Sequence, residues 1–475
     1  MDSPTCATGF GTVARNVLKH INDTGKYDIT VIGINYNGDY YDQTKFPYKI
    51  YPAMPPGYSD MYGRGKTFQV LQGKDKSIHP PFDILFTIQD HFILAGTDNI
   101  ANGFNLSKMI KQLQLAILEH DNVDIKHLFN WIGYYPVDGE LIPHWVQQGI
   151  GMTDYPVAYT VYGAKEMLRY DTKELGLRDR LNIISHGVNT EIFKPLPEDE
   201  VKKFRKEYFG GHVKDDTFLI VNINRNQPRK DIARTIKIFA EYKKINPKAF
   251  LYLHMKQGDS GGELWTIAKR FGLEEGVDMA TPDMKFGAMY GFPIEKVNQL
   301  YNAADVLLTT SLGEGWGFIN TESMAVKKPI IAAWNTAIPE IFGEEEIERK
   351  DVGIEYIENN LDKLRGIPLA CGEGLNDWLC YGYTDNSVIR PVASVEDGVR
   401  KLDWVFNNPD KVNKIVENGY KYIQTITWDK VCDKWIKLFD HAYEDVLRAR
   451  TTAELKKKVK PETRAKNRKK RKKKK

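Results

Sequence analysis

At 475 residues the chain is too long for one ordinary hydrophobic core, and its 42% hydrophobic and 12% aromatic content excludes a disordered polymer. No apolar run is long enough for a transmembrane helix, and the opening MDSPTCATGFG lacks the basic start and apolar core of a secretory signal. The formal charge of +4 is uneven: residues 456–475, KKKVKPETRAKNRKKRKKKK, carry a net +13, which leaves −9 on the rest. Such a tail is either a solvated, disordered end or an arm for an anionic membrane, nucleic acid or an acidic partner. The four cysteines show no zinc spacing and are read as reduced thiols of a cytoplasmic protein, in preference to a Cys371–Cys380 bridge.

In chain order, a glycine-rich turn, 7-ATGFGTVARNVLKHI-21, comes first. Strands are expected at 28–35, 83–88, 127–135, 156–163 and 181–185, with amphipathic stretches between them. The prolines and acids of 194-KPLPEDE-200 mark a break. Beyond it, strands are expected at 218–224, 249–255, 304–310 and 329–334, and a helix over 231–246. This alternation predicts two α/β domains, at 1–190 and 195–410, each a parallel sheet with crossover helices. Terminal helices follow at 411–450 and are expected to pack back on the first domain. In the last of them Trp428, Val431, Trp435, Leu438, Phe439 and Tyr443 share one face. Residues 451–475 are expected to be a disordered basic tail. A doubly wound domain normally starts with a central strand feeding its glycine-rich turn. Only six residues precede the turn here, so the first strand is expected to be missing and the neighbouring strand edges exposed.

Two segments carry chemistry. In 309-TTSLGEGWGFINTESMA-325, an apolar strand runs into a glycine turn and then a helix whose cap is expected at Asn320 or Thr321. The turn offers backbone N–H groups and a helix N-terminus, a site for an anion. Glu314 and Glu322, seven residues apart, would repel a phosphate but accept hydrogen bonds from sugar hydroxyls. A nucleotide-sugar, with a diphosphate between two hydroxyl-rich ends, has that layout. In 222-NINRNQPRKD-231, Arg225, Arg229 and Lys230 crowd a strand end, where ligands of such sheets bind. Cations there neutralise a departing diphosphate.

With 185-SHGVNTEIFKP-195, 297-VNQLYNAADVLLTTSLGEGWGFINTESMAVKKPIIAA-333 and the Trp428 helix, these segments resemble the retaining glycosyltransferases of family four, which have the GT-B fold of two Rossmann-like domains facing across a cleft. The resemblance implies a hexosyltransferase that takes a nucleotide-diphosphate sugar as co-substrate, uses a glycan, protein or lipid acceptor, and needs no metal or other cofactor. It places Glu314 near the donor sugar and Glu322 on the ribose. Gly315, Trp316, Gly317 and Phe318 fall along the donor, with backbone N–H groups offered at Gly317 and Phe318. Arg225 and Lys230 fall on the diphosphate; the family's usual Arg-to-Lys spacing is one residue longer, so Arg229 is the second candidate. Gly9 and Gly11 would close over the phosphates. Asp138 lies where relatives carry a catalytic histidine, and is read either as orienting an acceptor hydroxyl or as a turn residue. His91 and Tyr135 are weaker candidates, and His186 is read as structural. An epimerase or phosphorylase on the same fold, or a non-catalytic binder working through its tail, remain as other readings.

Overall fold

The computed structural model describes residues 1–54, 60–96, 104–120, 123–282, 291–344, 351–372, 378–380 and 388–472, with backbone only for 378–380 and 456–472. Helix α1 (Gly9–Asp23) opens the first domain. Thr8 caps it by accepting a hydrogen bond from the Gly11 amide, and Val13, Ala14, Val17 and Ile21 form its buried face. Strands β1 (Thr30–Gly33) and β2 (Lys49–Pro52) pair in parallel. A separate parallel sheet runs β3 (Ile84–Ile88), β4 (Asn130–Tyr135), β5 (Tyr155–Ala158) and β6 (Asn182–Ile183) in that order, with α2 (Val161–Leu168) between its last two strands.

Among the described residues no strand joins β1 to β3. Residues 1–3 run beside the end of β1 instead: the Ile34 amide donates to the Met1 carbonyl, and the Ser3 amide to the Ile34 carbonyl, both at 2.9 Å. The expected strand at 156–163 is cut short, because Thr160 caps α2 and turns the chain into a helix. The expected strand at 127–135 begins only at Asn130, after a single tight helical turn.

The second domain is one parallel sheet. Strands β7 (Phe218–Asn222), β8 (Ala249–Leu253), β9 (Met279–Ala280), β10 (Val306–Thr309), β11 (Ile330–Ala333) and β12 (Ile367–Leu369) lie in the order β9-β8-β7-β10-β11-β12. Their residues are almost all buried, as required of strands covered by helices on both faces. Helix α3 (Ile232–Ile245) follows β7, and α4 (Phe318–Ala325) follows β10. The order reverses between β7 and β10, so the loops after these two strands meet at the switch point of the sheet.

Helix α5 (Pro409–Ile423) stays with the second domain and packs on α4, contrary to expectation. Only α6 (Trp428–Lys472) returns to the first domain, against α1 and β4. Trp428, Val431, Trp435, Leu438 and Phe439 are buried as expected, whereas Tyr443 is exposed. The helix continues through the basic tail to Lys472, which corrects the expectation of disorder from 451. Lys, Arg and Glu are good helix formers, and extension from an already packed helix needs no new nucleus.

The chain crosses between the domains twice, side by side. Val188 pairs with Thr427, the Val188 amide donates to the Ile426 carbonyl at 3.0 Å, and a Cβ on Gly187 would lie 2.6 Å from the Trp428 Cα. Cys6 and Cys432 are free thiols, and the Cys371 thiol donates to the Trp334 carbonyl at 3.0 Å; the Cys380 side chain lies outside the described residues. Among the described residues no helix is long and apolar enough to cross a membrane.

Candidate active site

The loops after β7 and β10 are tied before any ligand is considered. The Leu312 amide donates to the Arg229 carbonyl at 2.8 Å, and the Thr310 hydroxyl to the Asp231 carbonyl at 2.8 Å. This fixes Lys230 against Glu314, whose side chain is buried, in a direct ion pair. Arg229 reaches the other oxygen of the same carboxylate at 3.3 Å and, through Nε, Asp138 of the first domain at 3.0 Å. Arg390 completes the row: its Nη2 lies 3.1 Å from Asp138 Oδ1, and its Nη1 donates to the Asp138 carbonyl. Five charged groups thus link Lys230, Glu314, Arg229, Asp138 and Arg390 across the cleft.

The electrostatics follow from that row. Burial pushes Glu314 up, but Lys230 and Arg229 more than reverse this and hold its carboxyl below the ordinary value. Burial pulls Lys230 down, Glu314 opposes the change, and Arg229 adds to it. Asp138 is pushed up by burial and pulled down more strongly by Arg390 and Arg229, to about 2. It is therefore ionised near neutral pH, with a guanidinium on each side.

Helix α4 begins at Phe318, after Gly317 in a left-handed conformation with φ 84°; a Cβ there would lie 2.6 Å from Asn320 Nδ2. The cap is Gly317 rather than Asn320 or Thr321, so Glu322 lies in the second helical turn, not the first. Glu322 accepts a hydrogen bond from the Tyr301 hydroxyl at 2.7 Å, and burial raises its carboxyl to about 7.

The remaining candidates separate into those at the cleft and those inside the domain joint. Gly9 approaches the Phe318 ring across the cleft, whereas Gly11 is packed inward against the Cys6 and Ser3 carbonyls. Gly315 abuts Pro136 of the first domain. Trp316 is buried beside His186. His186 stacks on Phe318 with ring centres 5.1 Å apart and bonds the Tyr134 hydroxyl at 2.7 Å; burial lowers its pKa to about 3, so it is a neutral structural residue. Tyr135 is buried and bonded to Thr153. Arg225 is not brought to the row. Its side chain is 62% exposed and pairs with Asp259 at 2.8 Å, because residues 258–263 form a small hairpin beside it. Arg229, the second candidate, takes the place next to Lys230.

Sequence reasoning missed Arg390, which comes from a segment far along the chain, and Glu340, whose Oε2 accepts from the Val161 amide of the opposite domain at 2.8 Å. Neither residue carries a local motif. Among the described residues no group of three His, Cys, Asp or Glu side chains has a metal-holding arrangement.

Residues 204–363, which include Lys230, Glu314 and Glu322, match the family described as glycosyl transferases group 1. Over that segment, about a third of the chain, the protein is similar to this family. The D-inositol 3-phosphate glycosyltransferase of Corynebacterium glutamicum is 24% identical over 269 residues, 56% of this chain and 52% of that protein. The protein of the same name from Acidothermus cellulolyticus is 26% identical over 163 residues, 33% of each chain. The chain spans about half the length, or less, of the curated relatives it matches. The fold is GT-B. Sucrose-phosphate synthase from Thermosynechococcus elongatus superposes with a TM-score of 0.64 at 13% identity, over 92% of this chain and 94% of that one. Anabaena HepE in complex with UDP and glucose superposes with a TM-score of 0.58 at 12% identity, over 93% and 97%.

Proposed function

We propose that the protein transfers a sugar from a nucleotide-diphosphate sugar to an acceptor hydroxyl with retention at the anomeric carbon. The observation that carries this reading is the placement of Lys230, Arg229 and the amino end of α4 around Glu314 at the switch point of the second domain. Two cations and a helix terminus suit a diphosphate, whose negative charge grows as the glycosidic bond breaks. Glu314 neutralises Lys230 and holds it in place, with its second oxygen on Arg229. Glu322 is the ribose acceptor. HepE, crystallised with UDP-glucose and with UDP, favours a uridine donor. Attack on the face of departure, assisted by the leaving phosphate, needs no metal in this scheme. The basic tail is read as an arm for an anionic membrane surface, with the enzyme otherwise in the cytoplasm.

The test is product analysis with UDP-glucose, GDP- and ADP-sugars, with and without a mixed glycan acceptor. Transfer only in the presence of acceptor supports the reading; interconversion of the sugar nucleotide alone would instead indicate an epimerase. Lys230→Met and Glu314→Gln should each lower transfer by roughly 10²–10³-fold, the usual effect of removing one charge-stabilising group. Near-native rates in both would sink the site assignment.

A further inference from the structure

Besides its ion pairs, Glu314 is held by its backbone, and the hold comes from the loop after β11. The Glu314 amide donates to the Thr336 hydroxyl at 2.8 Å, and the same hydroxyl donates to the Glu314 carbonyl at 3.0 Å, with the Asn335 side-chain oxygen a second acceptor at 3.2 Å. Glu314 and Thr336 are both buried, 5% and 7% exposed, so bulk water offers these groups no replacement partner. Asn335 adds a further tie, donating through Nδ2 to the Ser311 carbonyl at 3.0 Å. The loop is itself fixed. The Trp334 amide donates to the Leu369 carbonyl at 2.9 Å, and the Ile338 amide to the Asn335 carbonyl at 3.0 Å.

Thr336 makes these contacts from a backbone conformation that its side chain disfavours. Its φ is 48°, in the left-handed region. Among the described residues, the non-glycine residues with positive φ are Asn35, Asp231, Lys327 and Thr336, and of these only Thr336 is β-branched. Asparagine and aspartate tolerate that region; a β-branched residue is strained there. Such a conformation persists where surrounding contacts fix it, and residues held this way gather at functional sites. Glycine would adopt the same φ without strain but would bring no hydroxyl.

We infer that Thr336 is a positioning residue for sugar transfer: its hydroxyl sets the Glu314 peptide, and through it the carboxylate that pairs with Lys230 and Arg229. The inference rests on the transferase reading above. With its amide and carbonyl both held, Glu314 directs its side chain to Lys230 from a fixed backbone. Only Gly315, Trp316 and Gly317 then separate that fixed point from the start of α4. A displacement of about 1 Å in such a site costs up to ~10²-fold in rate. Lys230 feels the same displacement. Burial and Arg229 lower its pKa, whereas Glu314 and Asp138 raise it. A Glu314 that drifts away leaves the ammonium to lose its proton at lower pH.

The experiment compares Thr336→Ser, Thr336→Gly and Thr336→Val in the full chain, with the donor and acceptor identified by the product analysis above. Serine keeps the hydroxyl, glycine removes it together with the strain, and valine removes it but keeps the branch. Thr336→Gly should melt no lower than Thr336→Val. Both should nevertheless transfer sugar ~10–100-fold more slowly than the parent, with Thr336→Ser within ~3-fold of it. UDP affinity, read by thermal shift from about pH 7 to 10, should begin to fall at lower pH in Thr336→Gly than in the parent, and the parental profile should return in Thr336→Ser. A merely structural threonine would change the melting temperature without moving that profile. Parental transfer in Thr336→Gly, a loss in Thr336→Ser equal to that of the other two, or an unmoved alkaline profile in Thr336→Gly overturns the inference. A parent that binds UDP but transfers no sugar ends the transferase reading alone, and the binding profile then decides the role of Thr336. A parent that binds no UDP ends both.

Discussion

Glu322 titrates in the range where the protein would work. Its carboxyl is raised from 4.5 to about 7 by burial, so the folded state holds its proton more tightly than the unfolded chain does. The sign follows directly: folding stability falls as pH rises from about 4.5 to about 7, then levels off. Glu322→Gln should flatten that slope, as read by denaturant midpoints at pH 5, 6, 7 and 8. An ionised Glu322 accepts ribose hydroxyls better, so UDP affinity in the parent should rise over the same interval and stay flat in the variant. Asp138 has the opposite sign. Lowered from 3.8 to about 2, it contributes stability that is complete above its unfolded value and lost as pH falls through that window. Arg390→Met removes one of its two flanking cations and should move the acid limb of the pH–rate profile upward. A limb that stays in place would show that Arg390 does not set the ionisation of Asp138. Glu314 and Lys230 were legible in the sequence because each lies in a strand–loop–helix segment whose pattern is local. Arg390 was not, since its role exists only once a distant segment meets Asp138. Arg225 turns to Asp259 instead, and spacing along a loop says nothing of which way a side chain turns.

At the scale of elements, the position of α4 depends on one backbone conformation. Gly317→Ala forces an alanine to φ 84° with Asn320 Nδ2 2.6 Å from its Cβ, and should cost about 1–2 kcal/mol of stability while weakening UDP binding. Gly25→Ala is the control. It also sits at positive φ, 66°, but nothing lies within 4 Å of the added Cβ, so it should lower the melting temperature and spare UDP affinity. Equal loss of affinity in both variants would detach the α4 turn from donor binding. Long apolar strands such as β7, β8, β10 and β11 were readable because burial on both faces leaves an unbroken run. The edge strands β9 and β12, of two and three residues, are too short to show any period, and β2 carries an exposed lysine and a proline. The extent of α6 was misjudged for a different reason: charge density argued for a solvated coil, whereas helix propensity and a packed first half extend the helix.

For the whole molecule, the charge asymmetry and the joint are the governing features. Removing residues 456–475 changes the formal charge from +4 to −9. The shortened chain should keep its melting temperature and its transfer to soluble acceptors, because it retains the buried α6 side chains from Trp428 to Ala453. It should lose sedimentation with phosphatidylserine vesicles at low salt. Retained sedimentation would move membrane contact to the body.

The paired crossing at Val188 and Thr427 has a mechanical consequence. Two neighbouring strands of chain act as a door hinge, which leaves rotation about one line far softer than twist or slide. Motion about that line is amplified with distance from it. A few degrees at Gly187, where the Trp428 backbone leaves little room, would become ångströms at the far jamb, where Arg390 meets Asp138 and Glu340 meets the end of α2. The charged row, with Asp138 of the first domain held by Arg229 and Arg390 of the second, ties the two leaves together.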